Sequence, residues 1–163
     1  MSTSSLTISE TSDPRDVEFM RLAIEQAKLS APVPTAYCVG AVLINPQTFE
    51  TLATGYSREL PGNTHAEECC LIKLSSIDPS SISSFSSLTI YTTMEPCSTR
   101  LSGKKSCTEL IMASPIKRVV MGVAEPDRFV KCEGVRMLMN EGIEVTIVPG
   151  VAEECLSINR HVL

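Results

Sequence analysis

The chain has 163 residues, enough for one domain and little more. Fourteen Lys and Arg against nineteen Asp and Glu leave a net charge of −5, which argues against nucleic acid gripped by a basic surface. No apolar run approaches the roughly 18–20 residues that span a bilayer, and the start MSTSSLTISETSD lacks the basic residues and apolar core of a secretory signal. A soluble, cytoplasmic protein is expected, with the nucleus as the alternative.

Residues 1–12, rich in hydroxyls, read as a flexible tail, and 13–163 as a single domain. Asp13 and Pro14 mark a helix start, as N-cap and first helical residue. Val17, Met20, Ile24 and Ala27 give that helix one apolar face. Pro32 and Pro34 end it near Ser30. Tyr37–Asn45 is a nearly continuous apolar run and predicts a buried strand. Thr51–Ser57 returns as the second strand of a hairpin. A polar loop over 58–64 leads to a helix over His65–Ser75, where Thr64-x-x-Glu67 matches a capping box. Residues 76–87 form a Ser-rich surface connection. Strands follow at Leu88–Thr93 and Lys117–Val123, separated by a loop and a helix that starts at Ser106 with a second box, Ser106-x-x-Glu109. A helix over Cys132–Asn140 closed by Gly142, a strand over Ile143–Val148 and a last helix over Val151–Val162 complete the chain. A hairpin followed by alternating helices and strands implies an α/β fold of three layers, α/β/α, around a five-stranded mixed sheet.

Seven cysteines cannot all pair within one chain. Cys38, Cys69, Cys70, Cys132 and Cys155 lie in apolar segments and read as core. Cys97 and Cys107 stand among Pro, Ser, Gly, Arg and Lys, where packing is a poor explanation. Of the two histidines, His161 near the C-terminus reads as solvent-facing. His65 opens a helix in Thr-His-Ala-Glu-Glu, and on these residues alone it is either a surface group beside a capping Glu67 or part of a site.

Met94-Glu95-Pro96-Cys97-Ser98 directly after a strand, with Cys107 opening the next helix, alters that balance. One imidazole and two thiolates suit zinc, and three protein ligands leave a fourth position open for water, which zinc makes acidic near neutral pH. Cys107 is expected to ionise readily at its helix start. Glu67 is then the natural proton carrier. Residues i and i+2 of a helix point to different sides, so Glu67 need reach only the water or substrate. The two helix starts converge if their preceding strands are neighbours.

H-x-E followed by P-C and a second Cys resembles the zinc-dependent deaminases of the cytidine deaminase type. Nine residues separate Cys97 from Cys107 instead of the usual two, and the resulting EPCSTRLSGKKSC is similar to the riboflavin-biosynthesis pyrimidine deaminases, most of all the fungal members. VGAVLIN, IKRVVMGVAEPD and RFVKCEGVRMLMNEGIEV extend the resemblance over roughly residues 14–148. It implies a cytidine deaminase-like fold, one Zn2+ per chain on His65, Cys97 and Cys107, and Glu67 as general acid/base. The implied reaction is hydrolytic removal of the 2-amino group of 2,5-diamino-6-ribitylamino-4(3H)-pyrimidinone 5′-phosphate. A homodimer is implied as well. Pro34-Thr35-Ala36-Tyr37 departs from the Pro-Asn-Pro of the bacterial members, so their asparagine has no counterpart here. The bacterial enzymes also carry a reductase domain after the deaminase, and this chain, ending at Leu163, is expected to deaminate only.

A substrate phosphate needs local cations. Arg100, Lys104 and Lys105 between the two cysteines, and Arg128 and Lys131 after the fourth strand, are the candidates, with ordinary solvated charges as the alternative. Ser98 either orients the pocket or caps a turn. Glu95 either pairs with the pyrimidine edge or makes a structural hydrogen bond. Two other readings stand beside this one: deamination of another base, nucleoside, nucleotide or tRNA adenosine, and a zinc-stabilised scaffold without activity.

Overall fold

A computed structural model of the chain describes residues 8–77, 85–124 and 133–163. The elements in order are β1 (Ser9–Glu10), α1 (Pro14–Ala27), β2 (Gly40–Asn45), β3 (Glu50–Tyr56), α2 (Ala66–Ser75), β4 (Leu88–Met94), α3 (Cys107–Met112), β5 (Ile116–Val123), α4 (Gly134–Asn140), β6 (Glu144–Ile147) and α5 (Ala152–Ser157). The sheet order is β1-β6-β5-β4-β2-β3. Strands β1, β6, β5 and β4 run parallel, and β2 is antiparallel to both β4 and β3.

Alternation along the central strands divides the interior in two. Ala41, Leu43, Leu88, Ile90, Val119 and Met121 face Cys70, Leu74, Ile111 and Leu138 of α2, α3 and α4. Val42, Ile44, Tyr91 and Val120 face Met20, Ala23 and Ile24 of α1 and Cys155 of α5. The three layers are therefore as expected. Helix α1 lies so close to β2 that a Cβ on Gly40 would stand 1.9 Å from the Ala23 carbonyl oxygen, which only glycine avoids.

The sheet has six strands rather than five. The addition, β1, lies within the segment read as a tail; residues 1–7 are outside the described residues. Two residues are too few to carry a period, and β1 exists because β6 offers it an edge: Ser9 and Glu10 pair with Thr146 and Ile147, and Thr11 N–H donates to the Ile147 carbonyl at 3.0 Å. Strand β2 starts at Gly40, three residues later than expected. Before it the backbone is claimed by side chains: Cys38 N–H donates to Asn159 Oδ1 at 2.6 Å, and Val39 N–H to Ser57 Oγ at 2.8 Å. The last helix stops at Ser157, and Asn159 beyond it also donates to the Cys38 carbonyl at 3.1 Å. Asp13 caps α1 as read, accepting from Arg15 N–H at 2.9 Å.

A buried polar cluster ties these layers together. Asp16 on α1 receives both Arg118 guanidinium nitrogens at 2.8 Å, the Tyr91 hydroxyl at 2.6 Å and the Thr11 hydroxyl at 2.6 Å. Four elements or their flanks thus meet at one carboxylate, and nothing in local sequence pattern announces it.

Candidate active site

The cleft opens where chain direction changes within the sheet. Strands β3 and β4 both end there, and β2, which lies between them, begins there. The strands preceding the two helix starts, β3 and β4, are not neighbours, yet the helix starts converge, because only β2 lies between them and the chain entering β2 supplies a wall. Ligand sites in α/β sheets favour such switch points. The cavity is about 160 Å³ and is lined by Ala36, Tyr37, His65, Glu67, Glu95 and Cys97, among others. A cavity of about 150 Å³ holds one benzene ring, so this one has room for a single six-membered ring.

His65 is the N-cap of α2, with φ −89° and ψ 161°. It is extended rather than helical, so the i, i+2 objection does not apply and its side chain shares the cleft with Glu67. The capping box sits one residue later than Thr64-x-x-Glu67. Glu68, not Glu67, accepts from His65 N–H at 3.1 Å, and Thr64 instead bonds the Leu60 backbone through its hydroxyl. Glu67 is left free of capping. It is 3% exposed and accepts from the Thr92 hydroxyl at 2.9 Å. Burial raises its pKa, and the Cys97 charge adds to that.

His65 Nδ1 lies 3.5 Å from Cys97 Sγ and 3.4 Å from Cys107 Sγ, and the three donor atoms all fall within 4.8 Å of one another. Zinc bonds of about 2.05 Å to nitrogen and 2.3 Å to sulfur at a tetrahedral angle place N and S about 3.6 Å apart. The donor set fits that ion in both chemistry and spacing. Among the described residues no fourth His, Cys, Asp or Glu joins the group.

The two thiols are coupled. The hydrogen bond from Cys107 holds the Cys97 pKa well below its ordinary range, while Cys107 is pushed up. This reverses the expectation for Cys107: the first N–H of α3 donates not to its own side chain but to Cys97 Sγ, at 3.3 Å. For His65, burial pulls the pKa down, but the hydrogen bond and charge of Cys97 outweigh it and the net shift is upward.

With that geometry in place, residues 13–123 match the model of the cytidine and deoxycytidylate deaminase zinc-binding region. The chain belongs to this family. It is 48% identical over 139 residues to the diaminohydroxyphosphoribosylamino-pyrimidine deaminase of Schizosaccharomyces pombe, covering 85% of this chain and 33% of the relative. To the riboflavin biosynthesis protein RibD of Aquifex aeolicus it is 35% identical over 143 residues, 85% of this chain and 36% of that one. The chain thus spans about a third of the length of these curated relatives. Among solved structures, the Rib2 deaminase of Aspergillus oryzae in complex with DARIPP superposes with a TM-score of 0.76 at 32% identity, covering 88% of this chain and 89% of the other. Within the deaminase family, the chain groups with the Rib2 and RibD deaminases.

The other expected site residues fare unevenly. Arg100 has a side chain only 2% exposed, and its guanidinium is spent on protein partners: Glu68 Oε1 at 3.0 Å and the Asn63 carbonyl at 2.7 Å. Lys104 is exposed on the same loop and donates to the Gly62 carbonyl; Lys105 is exposed beside it. Ser98 Oγ accepts from Glu133 N–H at 2.9 Å, so it anchors the start of α4. Glu95 Oε2 accepts from Val135 N–H at 3.4 Å in the same helix while still lining the cleft. Arg128, Lys131 and Cys132 lie outside the described residues. Cys38, Cys69, Cys70 and Cys155 are buried as read. His161 is exposed, and its Nε2 stands 3.2 Å from the Ala36 carbonyl on the cleft wall.

Three site residues escaped sequence reading. Thr92 looks like any strand threonine. Glu68 follows His65 at the same three-residue spacing, but histidine is not a favoured N-cap, so Thr64-x-x-Glu67 is the stronger match in sequence. Arg58, in left-handed backbone at φ 64°, donates to the Ser30 hydroxyl at 2.9 Å, the Ala31 carbonyl at 2.8 Å and the Tyr37 carbonyl at 3.3 Å, pinning the wall that carries Thr35–Tyr37. No local pattern signals such a residue. No helix among the described residues is long and apolar enough to cross a membrane.

Proposed function

We propose that this chain catalyses the zinc-dependent hydrolytic deamination of 2,5-diamino-6-ribitylamino-4(3H)-pyrimidinone 5′-phosphate at its 2-amino group, a step of riboflavin biosynthesis. The observation that carries the reading is a three-donor cluster beside a buried carboxylate, Glu67, in a cleft sized for one ring. The likeness to the S. pombe deaminase and to the Rib2 deaminase that binds DARIPP supports the substrate class.

His65 Nδ1, Cys97 Sγ and Cys107 Sγ would hold the zinc, which supplies an acidified water and a positive charge when bound. Imidazole ligation through Nδ1 places the ring proton on Nε2. Glu67 takes the proton that the water gives up as its oxygen bonds to the amine-bearing ring carbon, and returns a proton to the amine nitrogen, so that the C–N bond breaks, ammonia leaves and the ring keeps the oxygen as its carbonyl. Low exposure keeps bulk water from competing for that proton. Thr92 is a positioning residue: fully buried, with its hydroxyl within reach of Glu67 Oε1 and, at 3.0 Å, of the Met94 carbonyl, it fixes the carboxylate rotamer. Thr92→Val is expected to lower kcat about tenfold to a hundredfold, the worth of one charge-assisted hydrogen bond, with KM unchanged. Thr92→Ser keeps the hydroxyl and is expected to recover most of that loss. A raised KM in the valine variant would assign Thr92 to substrate binding instead.

Lys104 and Lys105, with Arg128 and Lys131, remain the cations proposed for the phosphate. The reading includes a homodimer in the cytoplasm, in keeping with the resemblance to self-associating deaminases; light scattering of the purified protein checks the former. The function itself is tested by ammonia release from the ribitylamino pyrimidinone phosphate, with cytidine and dCMP as controls. Turnover of the first alone is expected. Turnover of cytidine or dCMP would keep the chemistry and replace the substrate, and silence on all three with zinc bound would favour a scaffold.

A further inference from the structure

We infer that Arg100, the cation sequence reading assigns to substrate phosphate, is instead a positioning residue that pre-assembles the metal site by clasping the chain segments that carry its three ligands. The inference rests on the reading of His65, Cys97 and Cys107 as the metal ligands. Arg100 follows Cys97 by three residues, so it rides on that ligand's own loop. Its Nη2 donates at 2.7 Å to the carbonyl of Asn63, two residues before His65. Its Nη1 donates at 3.0 Å to Glu68 Oε1, the same oxygen that accepts from His65 N–H at 3.1 Å. The Lys105 carbonyl, two residues before Cys107, lies 3.5 Å from Nη1. One guanidinium therefore bonds within two residues of His65 and of Cys107 while being tethered to Cys97.

Burial gives this arrangement its force. The Arg100 side chain is 2% exposed and that of Glu68 18%, so water competes weakly for either group. Nε of Arg100 is buried without a partner, and the two terminal nitrogens carry the hydrogen bonds. Asn63 holds left-handed backbone at φ 55°, which asparagine adopts more readily than most residues, where its carbonyl meets Arg100. Lysine cannot replace the fork, because its single ammonium does not reach two acceptors in fixed planar geometry. Groups that orient metal ligands from behind commonly change metal affinity by about 10–100-fold when removed.

The test is zinc affinity of the full chain by competition with a chromophoric chelator, which needs no substrate. Wild type is measured first, and failure to bind zinc would overturn the ligand reading itself rather than the clasp. Given wild-type binding, Arg100→Met is expected to weaken zinc about 10–100-fold, with KM for the pyrimidinone phosphate unchanged at saturating zinc. Glu68→Gln, which keeps a hydrogen bond to His65 N–H and retains Arg100, is expected to weaken zinc less, and it answers the question alone if Arg100→Met does not fold. Unchanged zinc affinity in both variants would overturn the clasp. A raised KM in Arg100→Met with wild-type zinc affinity would return Arg100 to the phosphate.

Discussion

Glu67→Gln is expected to lower turnover by about a hundredfold to ten-thousandfold while the protein still binds close to one zinc per chain. Glutamine preserves shape and can still accept from the Thr92 hydroxyl, which stands 2.9 Å from Oε1 in the parent. It cannot pick up and release a proton. Because Glu68 and not Glu67 completes the helix cap, α2 keeps its N-terminal bonding in the variant and the fold is undisturbed. Removing a buried carboxylate also removes a desolvation penalty, so the variant should be no less stable than its parent. Zinc content, melting temperature and ammonia release measured together separate the possibilities. Normal turnover would remove Glu67 from the mechanism, and loss of zinc would make it a ligand.

The second large effect is on stability. Asp16→Ala is expected to cost about 3–5 kcal/mol, the usual penalty for breaking a buried ion pair from one side. Arg118 would lose both bonds of its bidentate contact, and the hydroxyls of Tyr91 and Thr11 would lose their acceptor. Denaturant unfolding at neutral pH gives the loss directly. Pairing Asp16→Leu with Arg118→Met should recover much of it, since it removes a half-buried guanidinium left with only Glu144, 3.7 Å away, as a partner. The same site shapes acid sensitivity. Burial alone would raise the Asp16 pKa, but the bonds from Arg118, Thr11 and Tyr91 outweigh it and hold the carboxyl at about 2, against 3.8 for the free side chain. A depressed pKa stabilises the folded chain above the unfolded value, and that contribution of about 2 kcal/mol fades as pH falls from about 4 towards 2. The Asp16→Ala protein should lose stability less steeply over that interval. An identical slope would sink the assignment.

Both experiments probe features of different legibility. The zinc donors and the proton carrier stand in a dense motif whose residue types have few other uses together, so sequence exposes them. Helix starts at Asp13 and Ser106 were equally plain, because a cap is a local bond: Ser106 Oγ does accept from Glu109 N–H at 3.1 Å. The register of the α2 cap was not, since Thr64 and His65 both precede a glutamate by three residues and only tertiary placement decides between them. The bonds of Asp16 to Tyr91 and Arg118, the Asn159 amide that takes over the backbone before β2, and the Arg58 pin join residues 21 to 121 positions apart. No periodicity encodes contacts of that kind. Arg100 misled for a related reason: a basic loop residue beside a phosphate site and one buried behind a metal site look alike until burial is known.

The loop between β3 and α2 carries left-handed backbone at Arg58, Gly62 and Asn63. At Arg58 this conformation stores about 1 kcal/mol or more, and at Asn63 less, because asparagine tolerates it. Glycine at either place would relieve it, yet glycine at 58 deletes the guanidinium that fixes the Tyr37 wall, and glycine at 63 slackens the carbonyl that Arg100 holds. The strain in this loop is thus held in place by the same bonds that shape the cleft, and stability and cleft geometry depend on them together. A library varied at these two positions and selected for heat tolerance should therefore keep Arg58 and Asn63 rather than drift to glycine, because the bonds outweigh the strain.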